Sequence, residues 1–336
     1  EFFGFENILS YDSTKIIENT TLANTSGILK WALYLNPEWS TKLSLAKTKY
    51  GSDHNSILIN NSLNLNEYEQ SVYEENTFTD EILTIYQNIK SIKNHHLQLG
   101  YSHSTFNSDF NTQRILNESS EEARLVQKAS LRSIFLEDKW AISKNIKLRL
   151  GIRNTYFSKN NSSYLEPRIS ATMKVTPNFT FEGALGKNNQ FIHQFNSPLS
   201  TRGTQGTWLI SQEQIPVVSS FSSQISSHWK GHEHEYSISL YQRSSEGHFN
   251  FEKYLSPIPI LSEKNEYGNQ YYKESQGKEK INGTEILIRK KNSLINGWIS
   301  YHFNETKYSF PDINNGNLYK ADHDLRHEFK SVLITS

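Results

Sequence analysis

The clearest signal in the chain is a two-residue alternation of apolar and polar positions. In 146–156, Ile146, Leu148, Leu150, Ile152 and Tyr156 fall on one side and Lys147, Arg149, Gly151, Arg153 and Thr155 on the other. A period of two puts these sets on opposite faces of a β-strand. The same pattern recurs in 29–35, 96–103, 168–175, 179–186 and 296–303. Further strands are predicted over 41–50, 80–90, 124–142, 218–229, 234–250, 281–290 and 325–335. No segment shows a helical period.

The links between these segments alternate in length. Asn36-Pro37-Glu38, Ile92-Lys93-Asn94, Ser143-Lys144-Asn145, Thr176-Pro177-Asn178, Lys230-Gly231-His232 and Lys291-Asn292-Ser293 are tight. The polar stretches 51–78, 106–123, 191–217, 252–279 and 309–324 are long. Alternation alone fits either a soluble sandwich, whose apolar faces meet in a core, or a barrel, whose apolar face meets lipid. Tight turns on one side and long loops on the other favour an antiparallel transmembrane β-barrel. Aromatic residues near the predicted strand ends, namely Trp39, Tyr50, Trp140, Tyr156, Phe157, Phe179, Trp229, Tyr308 and Phe310, fit an interfacial girdle. Pro167 lacks a ladder donor and predicts a bulge or a strand start.

Composition narrows this picture. The 336 residues carry 35 basic and 35 acidic side chains, so no global field draws in nucleic acid. Cysteine is absent, which excludes a disulfide scaffold and a Cys-type zinc site. No apolar run approaches the ~20 residues of a membrane helix. The negative mean hydropathy is compatible with a barrel, whose strands average a greasy face with a wet one. The first residues show no basic-then-apolar leader, and the last lie in a strand pattern. The chain therefore reads as an internal piece of a longer protein.

Candidate chemistry is sparse. His228, His232 and His234 fall at a tight turn. His323 and His327 would lie about 13 Å apart on a strand, too far to share a metal. Both sets are read as turn or hydrogen-bonding residues, with His327 on the lumen side, and no metal, cofactor or catalytic set is assigned. No nucleophile-elbow motif is present, so an enzyme is not expected. Arg149, Arg153, Arg168, Lys174, Glu182, Glu285 and Arg289 are predicted to line the inner wall. Unpaired, such charges repel one another; cross-strand pairs or a carboxylate-bearing domain inside the barrel would satisfy them. Trp208, Tyr267, Tyr271 and Tyr272 lie on predicted long loops. They are candidate ligand contacts, against the alternative of loop packing.

Several stretches resemble the barrel of TonB-dependent outer-membrane receptors of the Bacteroidetes type. They are Leu136-Glu137-Asp138-Lys139-Trp140 with Leu148 to Arg153, Leu165-Glu166-Pro167-Arg168-Ile169-Ser170 with Gln190 to Gln194, Gly283 to Lys290 with Gly297 to Tyr301, and Asp322 to Glu328. The resemblance is best over 125–336. It implies a 22-stranded barrel around an N-terminal plug. On that basis residues 1–336 form a barrel fragment of about 12–15 strands, without plug or final strands. It further implies outer-membrane location in a Gram-negative bacterium and uptake of a scarce nutrient such as a metal chelate, cobalamin or a glycan. Implied partners are the TonB–ExbB–ExbD complex through the plug region, an extracellular ligand, membrane lipid and a surface lipoprotein. Rival expectations are a passive porin or adhesin barrel and a secreted carbohydrate-binding β-sandwich.

Overall fold

A computed structural model describes residues 2–11, 14–60, 68–90, 92–116, 119–196, 206–212, 215–251, 274–291, 295–311, 313–321 and 323–335. The strands are β1 (Phe2–Tyr11), β2 (Thr14–Asn36), β3 (Trp39–Asn60), β4 (Tyr68–Ile89), β5 (His95–Leu116), β6 (Ser119–Ala141), β7 (Ile146–Phe157), β8 (Ser162–Lys174), β9 (Phe179–Gln190), β10 (Ile192–Asn196), β11 (Gly206–Ile210), β12 (Val218–Lys230), β13 (His234–Phe251), β14 (Glu274–Lys290), β15 (Ile295–Ser309), β16 (Tyr319–Lys320) and β17 (His327–Thr335). Apart from β10 and β11, they form one 15-stranded antiparallel sheet in chain order, with β16 and β17 both on β15. The sheet is open among the described residues. β1 is one edge, and β15 with β16 and β17 the other.

Register gives the sheet two unlike faces. On one, Trp31 lies opposite Leu43, Leu43 opposite Ile85, Ile85 opposite Tyr101 and Tyr101 opposite Ile134. Farther round, Leu150, Ile169 and Leu185 form a row, followed by Ile225 with Leu240 and Ile288 with Ile299. These side chains are bare: Ile134 is 62 % exposed and Leu240 53 %. A water-soluble protein rarely leaves more than a few hundred Å² of contiguous apolar surface uncovered. A sandwich would press a second sheet on this face, and the described residues include none. The face is the lipid-contacting outside of an antiparallel transmembrane barrel wall.

The opposite face is the inside. It carries hydroxyl pairs that bond across neighbouring strands: Thr84 with Ser102 (3.3 Å), Ser133 with Thr155 (2.9 Å), Ser220 with Ser245 (2.9 Å) and Ser226 with Ser239 (2.9 Å). Such short polar side chains satisfy one another at cross-strand distance.

Strand length corrects the sequence reading. β7, β8 and β9 have 12 to 13 residues, close to a tilted bilayer crossing. β2 to β6 have 22 to 23 and run about twice that far. Most of 51–78 and 106–123, expected to be loops, is therefore strand. Beyond the bilayer the outer face meets water, so Asp53, Glu75, Asp109 and Arg124 replace leucines and the apolar period disappears, while the ladder continues. Arg124 holds Asp109 through two bonds of 2.9 and 2.6 Å on this projecting part.

Pro167 is neither a strand start nor a bulge. It lies inside β8 opposite Ile152, and the ladder to β9 ends at the adjacent Arg168. Just past that end, the Glu166 carboxylate accepts the Asn189 backbone N–H at 2.7 Å, replacing a ladder bond. The girdle reading holds for only part of its set. Trp140, Tyr156, Phe179 and Trp229 share the outer face, whereas Tyr50, Phe157 and Tyr308 share the inner one. His327 lies opposite Phe303 and bonds the Tyr301 hydroxyl at 2.9 Å, so it sits on the outer face rather than the lumen side.

Candidate functional site on the inner wall

The long connection between β9 and β12 turns inward. Its strands β10 and β11 pair as a separate hairpin, Ile192 opposite Ile210 and Gln194 opposite Trp208. The hairpin lies against the inner wall, where Phe78, Phe106, Ala129, Phe157, Phe191 and Ile210 make a buried apolar cluster. Tyr50, Leu131, Tyr164, Ile192, Trp208 and Val217 pack around it. Apolar and aromatic residues collect here on the inner wall because the hairpin forms a second layer that excludes water.

Side-chain bonds fix the hairpin in place. The Asn76 Oδ1 accepts the Trp208 backbone N–H (3.1 Å), and the Ser108 hydroxyl donates to the Trp208 carbonyl (2.6 Å). The Gln127 amide accepts the Ile210 N–H (3.0 Å) and donates to its carbonyl (3.2 Å). The Trp208 ring meets Phe78 at 5.5 Å and Tyr50 at 6.1 Å between centroids. Trp208 thus packs on the wall. On the same hairpin, His193 bonds the Ser211 hydroxyl (2.9 Å) and contacts the Phe249 ring. Burial drives its pKa down to about 4, against partial relief from the Pro216 carbonyl. Tyr267, Tyr271 and Tyr272 lie outside the described residues.

Toward the tight turns the inner wall is ionised. Arg149 and Lys139 share the half-buried Glu137 at 3.7 and 3.6 Å. They border a concave pocket of about 690 Å³ with Lys147, Thr172, Glu182 and Gln224. Glu182 faces His228 at 3.7 Å. Arg289 and Lys230 approach Glu235 at 3.5 and 3.9 Å, and Lys291 also pairs with it. Arg168 lies between Gly151 and Gly186 on the neighbouring strands. A Cβ at Gly151 would come within 2.8 Å of the Arg168 side chain, so this glycine makes room for the guanidinium stem. Arg153 stacks over the Phe135 ring at 5.9 Å. Glu285 lies opposite Ser239 and His302, the latter bonded to the Tyr241 hydroxyl.

The structure therefore puts Arg149, Arg153, Arg168, Glu182, Glu285 and Arg289 on one face. Their partners Glu137, Glu235 and His228, and the hairpin-holding Asn76, Ser108 and Gln127, were not singled out as site residues from sequence. Parity along each strand marks all of them as inner-facing, but which face one another depends on register across strands.

A family model, TonB dependent receptor-like β-barrel, matches residues 3–322. The chain belongs to the TonB-dependent receptor β-barrel family. Solved structures share the fold at low identity. The ferric yersiniabactin uptake receptor FyuA from Yersinia pestis aligns with a TM-score of 0.58 and 8% identity over 99% of this chain and 62% of its own. The RagAB peptide importer aligns at 0.54 and 12% over 92% and 38%. The outer membrane transporter YddB from Escherichia coli aligns at 0.51 and 9% over 99% and 60%. The chain thus spans between about two fifths and three fifths of these relatives' lengths. A search of curated sequences returned no match. As a TonB-dependent receptor barrel, the wall belongs to the outer membrane of a Gram-negative bacterium, and its bare leucine face is its lipid contact.

Proposed function

We propose that this chain is the wall of an outer-membrane receptor that takes up a scarce nutrient by TonB-dependent transport, rather than catalysing a reaction. The observation that carries the reading is the contrast between the two faces. The outside carries an apolar band at the level of the bilayer, and the inside combines a cationic lower wall with an inserted hairpin above it. Arg149, Arg168 and Arg289, with Lys139 and Lys147, present an excess of donors over the carboxylates of Glu137, Glu182 and Glu235. That excess suits the acidic side chains of a plug docked in the barrel. Energy would arrive from TonB–ExbB–ExbD through that plug, and a surface lipoprotein would close the outer mouth. The nutrient is a metal chelate, cobalamin, a glycan or a peptide. Structural relatives that import peptides and ferric yersiniabactin support this range.

The test compares accumulation of labelled ferric chelates, cobalamin, oligosaccharides and peptides in cells with and without the gene, each with and without TonB. One class is expected to accumulate only when both the gene and TonB are present. Accumulation that needs the gene but persists without TonB identifies a passive pore instead.

A further inference from the structure

We propose that the inner wall across β4, β5 and β6 is a binding site for an extended peptide segment with an aromatic and an aliphatic side chain two residues apart, and that β11 occupies it as a built-in competitor. The proposal rests on the transport reading above and names its substrate class.

Strand β11 pairs with β10 on one edge only. Its other edge is met by side chains from three wall strands instead of by another strand. Asn76, Ser108 and Gln127 bond main-chain atoms of Trp208 and Ile210 there, two acceptors to two N–H groups and two donors to two carbonyls, and the Gln127 amide also donates to the Gln212 side chain at 3.0 Å. Main-chain groups are common to every peptide, so the four main-chain bonds do not depend on the sequence they hold. Register brings the three together: Ser108 lies opposite Gln127, and Asn76 one step along from Ser108's other partner, Phe78.

The three side chains are 4 %, 1 % and 1 % exposed. Polar groups buried this deeply require partners. If the hairpin lifts, they stay satisfied only when water or another extended backbone replaces it. The pockets for alternate side chains give selectivity. Tyr50 and Phe78 make an aromatic slot for residue 208, and Phe78, Phe106, Ala129 and Phe157 make an aliphatic one for residue 210. In an extended chain these positions are about 7 Å apart on the same face.

The occupant is an imperfect fit. The Trp208 indole N–H is shielded from solvent and has no acceptor. A two-stranded hairpin with five residues per strand has little stability of its own and depends on the wall. Both features make exchange for a better-matched peptide feasible.

The experiment uses the intact detergent-purified receptor and a capped peptide of residues 206–212. A second peptide is N-methylated at the amides of residues 208 and 210. In a variant with 192–212 replaced by a short Gly/Ser linker, the plain peptide is expected to bind saturably. The N-methylated peptide is expected to bind about tenfold more weakly or worse, as is the plain peptide once Gln127→Leu is added. Equal binding of both peptides, or no saturable binding by folded variant, overturns the proposal. Should the variant not fold, hydrogen exchange in the unaltered receptor decides. Excess plain peptide is expected to accelerate exchange of the β11 amides while the methylated one leaves it unchanged; unchanged exchange with both overturns the proposal. If peptide fails while TonB-dependent accumulation of another nutrient persists, only the substrate class falls. Loss of TonB dependence removes the transport reading itself.

Discussion

Leu150 and Arg149 are adjacent in sequence and face different solvents. Leu150 lies in a row with Ile169 and Leu185 on the lipid face, whereas Arg149 shares Glu137 with Lys139 on the inner one. Placing arginine at 150 puts a charge against hydrocarbon, which is expected to cost about 2–4 kcal/mol near mid-bilayer. Arg149→Leu removes one of two cations beside Glu137 and leaves Lys139 in place, so a smaller loss is expected. Reversible unfolding of the refolded receptor in detergent or lipid measures both, and equal losses would count against the assigned faces. This contrast was legible in sequence because a strand's period of two needs no partner to be read. The identity of Glu137 as the shared carboxylate was not. It lies on a different strand, and only register brings β6 and β7 side by side.

At the scale of elements, the tight turns and bilayer-crossing strands were readable, and the projecting strands were not. Leucine marks β7 because lipid lies beside it; nothing comparable marks residues 51–56 of β3, where both faces carry polar side chains. The β10–β11 hairpin escaped for a related reason. Its apolar residues, Phe191, Ile192, Trp208, Leu209 and Ile210, look like loop aromatics until the wall beneath them is known. Trp208 was weighed between ligand contact and loop packing, and the geometry shows packing on Phe78 and Tyr50. The hairpin also carries a pH dependence. Buried His193 is neutral when docked, with a pKa near 4 compared with an ordinary 6.5. The groups facing it are Ser211, the Pro216 carbonyl, Phe249 and the nearby His248. The undocked hairpin binds the extra proton more readily. Docking free energy from this residue is thus fully present above about pH 6.5 and is lost as pH falls toward 4. The loss is up to about 3 kcal/mol, reduced by whatever water reaches the site. Hydrogen exchange of the β11 amides at pH 7.5 and 5, corrected for intrinsic rates, is expected to show weakened protection at the lower pH. His193→Gln is expected to flatten the change. A wild-type profile as flat as that of the variant would remove His193 as the cause.

For the whole molecule, one sheet with a bare apolar face explains the architecture better than its composition does. Charges balance and mean hydropathy is negative, yet Ile134, Leu240 and Leu333 remain exposed because half of each strand is polar and faces inward. The sequence-based estimate of strand number agrees with the 15-stranded sheet. It could not show that the sheet is open among the described residues, since closure depends on which strands lie next to β1 and β17. The open edges have a direct consequence. β1 presents unpaired N–H and C=O groups on one side, and β17 does the same at the other end of the sheet. An exposed edge is a template for another copy's edge, and the leucine face adds a second route to association. Residues 1–336 expressed alone in plain buffer are therefore expected to aggregate, with detergent restoring sheet content by circular dichroism. Size-exclusion chromatography and thermal unfolding check this. A monodisperse monomer that unfolds cooperatively without detergent would mean that the leucine face is covered by protein rather than lipid, and the membrane assignment of both faces would fall with it.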